Sequence, residues 1–524
     1  MILGYYIDNQ GIYDNEGGHR LNVSGTEAFD VLLRKDIKEN KLFYDLDCCV
    51  ASLIKMALNK AQAEELYEKE RVWVNGYKIT YFPDRFFAID KGRAFVNFGN
   101  MTRYKSDVHY NPDDTLEDKL AKAKEAGDMA KEAGEVLGQL GLSRQKITSP
   151  VSGIVEKYVN SLHLPTIDDV PEEAAEIAYM TVKGNWLESY VCGSWDEVWD
   201  YDVNGSYGSF LQSLLDLRRG EWVKSDSIPA NAYYGFADGL LTSRYPFNPF
   251  LMIGDNDVNP TPIGTRPEQL TLQHLRLMEK FPQLGEFRID RGWWWIPKDT
   301  VSKYEPLKGI VNHLWNIRSK SEGLKKAIIR SCLAGIWGRF GQELKGEFGD
   351  LFNPVYSSIV CNGNDIKVAD MCLSQGVIPL QVAVDGVIVD RPLDIEDSRE
   401  LGQWRLSHKG KCIIVSSGVV AMEGKEGAEE FALTYDWLHD RLGEHPEKSE
   451  YQMEKWSPIT LGKALEQGCF EKIGQLEKIT RTVYIGKDPK RLWKEYPRNG
   501  GELLKGQYKS EPIDAIMAGA SVGA

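Results

Sequence analysis

At 524 residues, with 42% hydrophobic and 27% charged residues, the chain has the composition of a folded protein of three or more domains or subdomains, not a disordered one. A net charge of −14 excludes a uniformly basic nucleic-acid binder, and no apolar run approaches the roughly 20 residues of a membrane-spanning helix, so no membrane partner is expected. The opening Met1-Ile2-Leu3-Gly4-Tyr5 lacks the basic flank and long apolar stretch of a secretory signal, and the eight cysteines form no CxxC pair, which reads as free thiols in a reducing, cytoplasmic compartment.

In chain order, residues 1–110 mix short apolar strands at 2–7, 72–74, 86–89 and 94–98 with one amphipathic helix at 50–67, an α/β pattern. Residues 115–142 are rich in Ala, Lys, Glu and Leu and should be helical, with Asp113, Asp114 or Thr115 as the cap. Ser149-Pro150 and Pro165 mark a change of element, and a boundary is placed near residue 150. A second α/β region follows. It has a strand at 197–203 entering a turn, a loop at 259–266 carrying Pro260 and Pro262, a helix at 269–280 and an alternating strand at 287–295. A long basic helix is expected at 321–340, then two strands within 377–389 joined at Asp385-Gly386, a strong hairpin dipeptide. From about Gly424 onward the chain reads as charged and largely helical.

Two stretches run against the acidic average. Residues 318–345 hold seven Lys and Arg against two acids, and residues 470–509 hold ten against five. Phosphate binding depends on the local field and not on the total charge, so this segregation fits a basic track through an acidic body as well as it fits two solvated helix faces.

Three patterns carry the chemistry, and their order matters more than any one of them. The first is Asp202-Val203-Asn204-Gly205-Ser206-Tyr207-Gly208-Ser209 after a strand, where a carboxylate and nearby backbone carbonyls can hold a divalent cation. Taken alone, it is also an ordinary Asn-Gly turn. The second is Arg318, then Arg330, then Ala334-Gly335-Ile336-Trp337-Gly338-Arg339-Phe340. On a helix, Arg318, Glu322, Lys326 and Arg330 fall on one face, a cationic row suited to a triphosphate, with Glu322 as an interruption. The third is Ala383-Val384-Asp385-Gly386-Val387-Ile388-Val389, one carboxylate at the tip of an apolar hairpin, costly to bury unless it is paired or metal-bound.

In this order the three patterns resemble the polymerase motifs of family B DNA polymerases, in the form found in phage and plasmid members, protein-primed ones included. The first resembles D-x-x-S-L-Y-P-S, the second K-x-x-x-N-S-x-Y-G-K-F and the third D-T-D-S. The likeness covers about residues 176–425 and, more loosely, the whole chain. It departs from the family at Gly205, Ser206 and Gly208, at Arg330 in place of lysine, at Ala334 and Trp337 in place of Asn and Tyr, and at Ala383 in place of the first Asp of the third motif. The two acids on which the family's metal chemistry depends survive as Asp202 and Asp385.

The resemblance implies a multidomain α/β fold. An RNase H-like exonuclease-like unit would span 1–110 and a helical linker 111–175. A right-hand polymerase domain would follow, with palm at 176–304 and 345–425, fingers at 305–344 and thumb at 426–524. It implies a template-directed polymerase extending a primer 3′ end with dNTPs. Asp202 and Asp385, with the carbonyl of Val203, would hold two Mg²⁺ ions, with Mn²⁺ as a substitute. Arg318, Lys326 and Arg330 would hold the triphosphate, Tyr207 would lie under the sugar and select against a 2′-hydroxyl, and Gly338 would lie close to the nascent base pair. Arg339 and the C-terminal Arg481, Lys487, Lys490 and Arg491 would grip primer-template DNA, with a terminal protein or replication accessory factors as further partners. The string Phe43-Tyr44-Asp45-Leu46-Asp47-Cys48-Cys49 resembles the second exonuclease motif with Cys49 at the expected Asp. The first motif, D-x-E, is missing, Asp8-Asn9-Gln10 being the nearest string, so no proofreading is expected. Residues 338–385 leave little room for the insertion of strand-displacing members, and the interval from 202 to 318 is roomier. The other reading is a catalytically dead, polymerase-like DNA-binding or replication scaffold protein.

Overall fold

The computed structural model describes residues 3–33, 41–83, 86–92, 94–100, 113–140, 159–254, 258–298, 304–344, 346–425 and 433–518. The expected boundary near 150, with Ser149-Pro150, lies outside these residues. The chain is mixed α/β and is organised on three main sheets.

The first sheet has eight strands in the spatial order His19–Leu21, Gly11–Asp14, Leu3–Asp8, Lys41–Phe43, Ala94–Asn100, Phe86–Lys91, Tyr77–Phe82 and Arg71–Val74. Leu3–Asp8, Lys41–Phe43 and Ala94–Asn100 run parallel, and the remaining pairs are antiparallel. The expected helix at 50–67 is two helices, Leu46–Ala57 and Lys60–Lys69. The chain turns extended at Leu58 and Asn59, and Asn59 with Gln62 forms a capping box that starts the second helix, a local signal stronger than the continuous apolar period. Helix Leu116–Gln139 opens on a Thr115 capping box with Asp118 and lies directly on strand Leu3–Asp8. A Cβ on Gly4 would stand 2.2 Å from the backbone nitrogen of Gly127, so glycine is required for this backbone-to-backbone contact.

The second sheet has seven strands around Val191–Val203. One path runs Val419–Met422, Trp404–Ser416, Val191–Val203, Gly386–Val389, Gln381–Ala383, Leu187–Ser189, and Gln507–Lys509 joins the start of the central strand. All of its pairings are antiparallel. The roomy interval between 202 and 318 holds the third sheet, Gly220–Lys224, Gly285–Pro297, Tyr234–Ser243 and Gly264–Thr271. The loop expected at 259–266 therefore ends at Gly264. The helix expected from 269 starts at Leu272, because Thr271 accepts from the His274 N–H as its cap.

Two further expectations are corrected. The long helix is Gly323–Phe340, preceded by a separate helix Lys308–Arg318, and Glu322 between them is extended. The C-terminal region is not largely helical. Helices Tyr435–Glu444, Leu461–Glu466 and Gly500–Lys505 alternate with a hairpin of Glu450–Pro458 and Leu476–Tyr484 and with short strands. The alternation of Lys478-Ile479-Thr480-Arg481-Thr482-Val483 carries strand preference that its charge count concealed. Helix Pro354–Ser374, to which no element was assigned, is buried along most of its length. Its Ser358, Asn362 and Asp365 are buried along with its apolar residues, so no alternation of apolar and solvent-facing polar residues marks it as a helix.

Candidate active site

Strand Val191–Val203 delivers Asp202 at its C-terminal end, and the hairpin formed by Gln381–Ala383 and Gly386–Val389 delivers Asp385 beside it. Asp202 is the register partner of Gly386, and the Val203 N–H donates to the Asp385 carbonyl at 3.0 Å. Two carboxylates 183 positions apart in sequence thus stand at the ends of adjacent paired strands. The tight turn is displaced by one residue from the expected Asp385-Gly386. Ala383 pairs with Gly386, so Val384 and Asp385 form the turn, and Val384 takes a left-handed φ of 61°. A β-branched residue there is strained. The surroundings hold it in place, since the Val384 N–H donates to the Trp186 carbonyl at 2.8 Å and its carbonyl accepts from Asn364 Nδ2 at 2.8 Å.

Asn364 was not singled out from the sequence, yet it connects the two acidic motifs. Its Oδ1 lies 2.5 Å from Ser206 Oγ, just past Asp202, while its amide holds the turn at Val384. Gly205 has φ 56°, and a Cβ there would stand 2.6 Å from the Trp315 ring. Both facts explain glycine where the family motif has serine.

The two acids open into a cleft of about 780 Å³ lined also by Val203, Tyr207, Arg318, Lys326, Arg330, Asn185, Asp397, Arg399 and Arg405. Cations outnumber carboxylates there five to three. The expected single-face row is built differently. Arg318 ends one helix, while Lys326 and Arg330 come from the next, so Glu322 falls in the connection and does not line the cleft. Burial lowers the Arg318 pKa first, with the like charges of Arg330 and Arg405 adding to it. Its guanidinium lies 5.1 Å from the Trp315 ring. Burial, and then the charge of Asp202, push the Asp385 pKa up to about 6, against the pull of Arg330 and Arg405. Arg405 and Arg399 escaped the sequence reading because no motif contains them. Arg405 lies opposite Asp202 in register and donates to it at 2.7 Å. Two residues earlier, buried Asp200 pairs with Lys425 at 2.5 Å.

Tyr207 stacks on Trp337 with ring centroids 4.7 Å apart and 19° between planes, and its hydroxyl donates to Asn185 Oδ1 at 3.1 Å. Gly338 and Arg339 do not line the cleft. A Cβ on Gly338 would meet nothing within 4 Å, so packing inside the chain does not demand glycine there. The Arg339 guanidinium donates to Gln342.

The C-terminal cations separate into two groups. Arg481 lies on the hairpin strand Leu476–Tyr484, and the Lys487 ammonium stands 3.9 Å from the Tyr484 ring centre. Arg491, expected on DNA, is instead 4% exposed. It binds Glu188 at 2.8 Å and Ser510 Oγ at 2.7 Å, with its guanidinium over the Tyr190 ring. Lys490 also turns inward, donating to the Leu187 carbonyl at 2.8 Å. The reason is Glu188, wholly buried and in need of a counter-charge.

In the N-terminal sheet the acids do not converge. Asp8 pairs with Lys119 at 2.6 Å, both nearly inaccessible, and accepts from the Gln10 and Gly11 N–H groups. Asp45 caps helix Leu46–Ala57, Asp47 accepts from the Tyr81 hydroxyl at 2.6 Å, and Cys49 Sγ accepts from the Ile7 N–H at 3.3 Å. Among the described residues no group of three or more His, Cys, Asp and Glu could hold a metal, and no helix is long and apolar enough to cross a membrane. The donor set of the cleft still fits a hard divalent cation. Two carboxylates stand at the ends of adjacent paired strands, and Mg²⁺ commonly takes one or two carboxylates plus substrate phosphates.

No protein-family profile matches the chain, and neither does any curated protein sequence. Solved structures do. Phi29 DNA polymerase with primer-template DNA, in a post-translocation binary complex, is similar over 92% of this chain and 99% of that one, at 13% identity and a TM-score of 0.62. Its ternary complex with primer-template DNA and incoming nucleotide substrates gives 92%, 98%, 14% and 0.60, and its complex with single-stranded DNA gives 92%, 98%, 13% and 0.59. At these identities the likeness is one of architecture: the chain is a mixed α/β protein similar in fold to Phi29 DNA polymerase.

Proposed function

We propose that this chain is a template-directed DNA polymerase of the family B type, extending a primer 3′ end with dNTPs and lacking proofreading, in phage or plasmid replication. The observation that carries this reading is the pairing of Asp202 and Asp385 at adjacent strand ends inside a cleft rich in cations. On this reading the seven-stranded sheet is the palm, helices Lys308–Arg318 and Gly323–Phe340 are the fingers, and residues 426–524 form the thumb, apart from the strand Gln507–Lys509, which returns to the palm sheet. The N-terminal sheet is an exonuclease-like unit whose acids are spent on structure.

Arg318, Lys326 and Arg330 bind the triphosphate of the incoming nucleotide, Arg318 with least freedom because it is the most enclosed. Their charge stabilises the phosphoryl group as it transfers, without reorganisation at that moment. Tyr207, fixed against Trp337 and Asn185, presents a rigid ring beneath the sugar, where a 2′-hydroxyl would collide. Asp202 and Asp385, with the Val203 carbonyl, are the groups that would hold Mg²⁺ or Mn²⁺, which when bound neutralises charge on the primer hydroxyl and the leaving pyrophosphate. Asn364 and Ser206 keep the two acids in register. Arg481 and Lys487 contact duplex backbone, a sequence-blind and salt-sensitive interaction.

The deciding experiment is extension of a labelled primer on a template with Mg²⁺ by the wild type and by Asp202→Asn and Asp385→Asn. Extension by the wild type alone is expected. DNA binding without incorporation, under Mg²⁺ or Mn²⁺, would instead select the inactive scaffold.

A further inference from the structure

Arg405 belongs to none of the sequence motifs, yet it stands between the carboxylate pair and the cationic row. Strand Trp404–Ser416 places it directly opposite Asp202, and its Nη2 donates to Asp202 Oδ2 at 2.7 Å. The same guanidinium lines the cleft with Arg318, Lys326, Arg330 and Arg399, and its charge reaches both Arg318 and Asp385. This pair is not a buried strut. Its side chains are 44% and 28% exposed, whereas those of Arg491 and Glu188 are 1% exposed each. An oxygen accepting from a guanidinium offers less of its charge to a divalent cation, so the two compete for Asp202. A solvent-exposed ion pair is weak enough to exchange, and a forked guanidinium released next to a triphosphate has a better partner at hand.

We propose that Arg405 is an exchangeable counter-ion. It neutralises Asp202 in the empty cleft and turns to the nucleotide phosphates when a divalent cation takes that carboxylate. The proposal rests on the polymerase reading and adds a coupling to it: metal alone binds poorly because it must displace Arg405, and metal with nucleotide binds well because Arg405 gains a phosphate.

The test is a Mn²⁺ titration followed by electron paramagnetic resonance on the full chain without DNA or nucleotide, for wild type, Arg405→Gln and Arg405→Lys. The dNTP KM in primer extension is measured in parallel, and circular dichroism checks the fold of each variant. Arg405→Gln should bind Mn²⁺ alone up to about fivefold more tightly and show a dNTP KM raised about tenfold. Arg405→Lys should recover part of both effects, keeping the charge without the fork. Unchanged or weaker Mn²⁺ binding in folded Arg405→Gln, or an unchanged KM, overturns the counter-ion role while leaving an active polymerase. A wild type that extends no primer overturns the polymerase reading itself, whatever the Mn²⁺ arm shows.

Discussion

The N-terminal sheet and the central cleft use the same ingredient, aspartates near strand ends, and arrive at opposite results. In the N-terminal unit three aspartates have separate partners: Asp8 has Lys119, Asp47 has Tyr81, and Asp45 has the first turn of a helix. Their charges are satisfied one by one, which leaves nothing for a cation to gain. In the cleft, Asp202 is held by a solvent-exposed ion pair with Arg405, and burial, with the charge of Asp202, pushes Asp385 up to about 6, so an added divalent cation would relieve a cost that the fold maintains. Potential for metal chemistry therefore lies in how carboxylates are left unbalanced, more than in how many there are.

The sharpest way to break this contrast is to remove the acids on each side of it. Asp202→Asn or Asp385→Asn should lower primer extension by about a thousandfold, the scale of losing one preorganised charge-stabilising group at a reacting centre. Asp47→Asn should leave extension unchanged, and wild type should not shorten a labelled single strand from its 3′ end; degradation there would erase the distinction. Next in size is Lys119→Met, which leaves Asp8 buried without its counter-charge. It should cost about 3–5 kcal/mol in urea unfolding, with extension per folded molecule retained.

The pH dependence sharpens the comparison from the other side. The cleft needs Asp385 ionised to hold a cation, so extension should fall as pH drops through about 6. The stability effect runs in the opposite sense. With its folded pKa raised above the unfolded value of roughly 4, this group contributes stability below that value and loses it as pH rises through about 6. Melting curves should therefore show stabilisation by Mg²⁺ that is larger at pH 8 than at pH 5; equal shifts at both would contradict it. The smallest expected effect is that of Asp45→Ala, about 1 kcal/mol from loss of a helix cap, read as a modest drop in melting temperature with no change in extension.

Much of the local structure was legible along the chain, because strand alternation and caps act over a few residues. Strands at 72–74, 86–89 and 94–98, a helix cap among Asp113, Asp114 and Thr115, and the acidic ends at Asp202 and Asp385 required no knowledge of the rest of the molecule. The helix Pro354–Ser374 was hidden because it is buried on nearly every side, and the turn moved onto Val384 because Trp186 and Asn364 hold a conformation that Val384 would not choose alone.

By itself the sequence determined the residue types and order of the three motifs, the acidic average with its two basic stretches, and the helix caps. Only the tertiary structure decided how each charge was spent. Arg491 went to Glu188, Lys119 closed off Asp8, and Arg405 came to rest on Asp202 from the neighbouring strand. The physical reason is range. Backbone preferences are set by adjacent residues, whereas the cost of a buried charge is met by whichever opposite charge the sheet register brings beside it, from any distance along the chain.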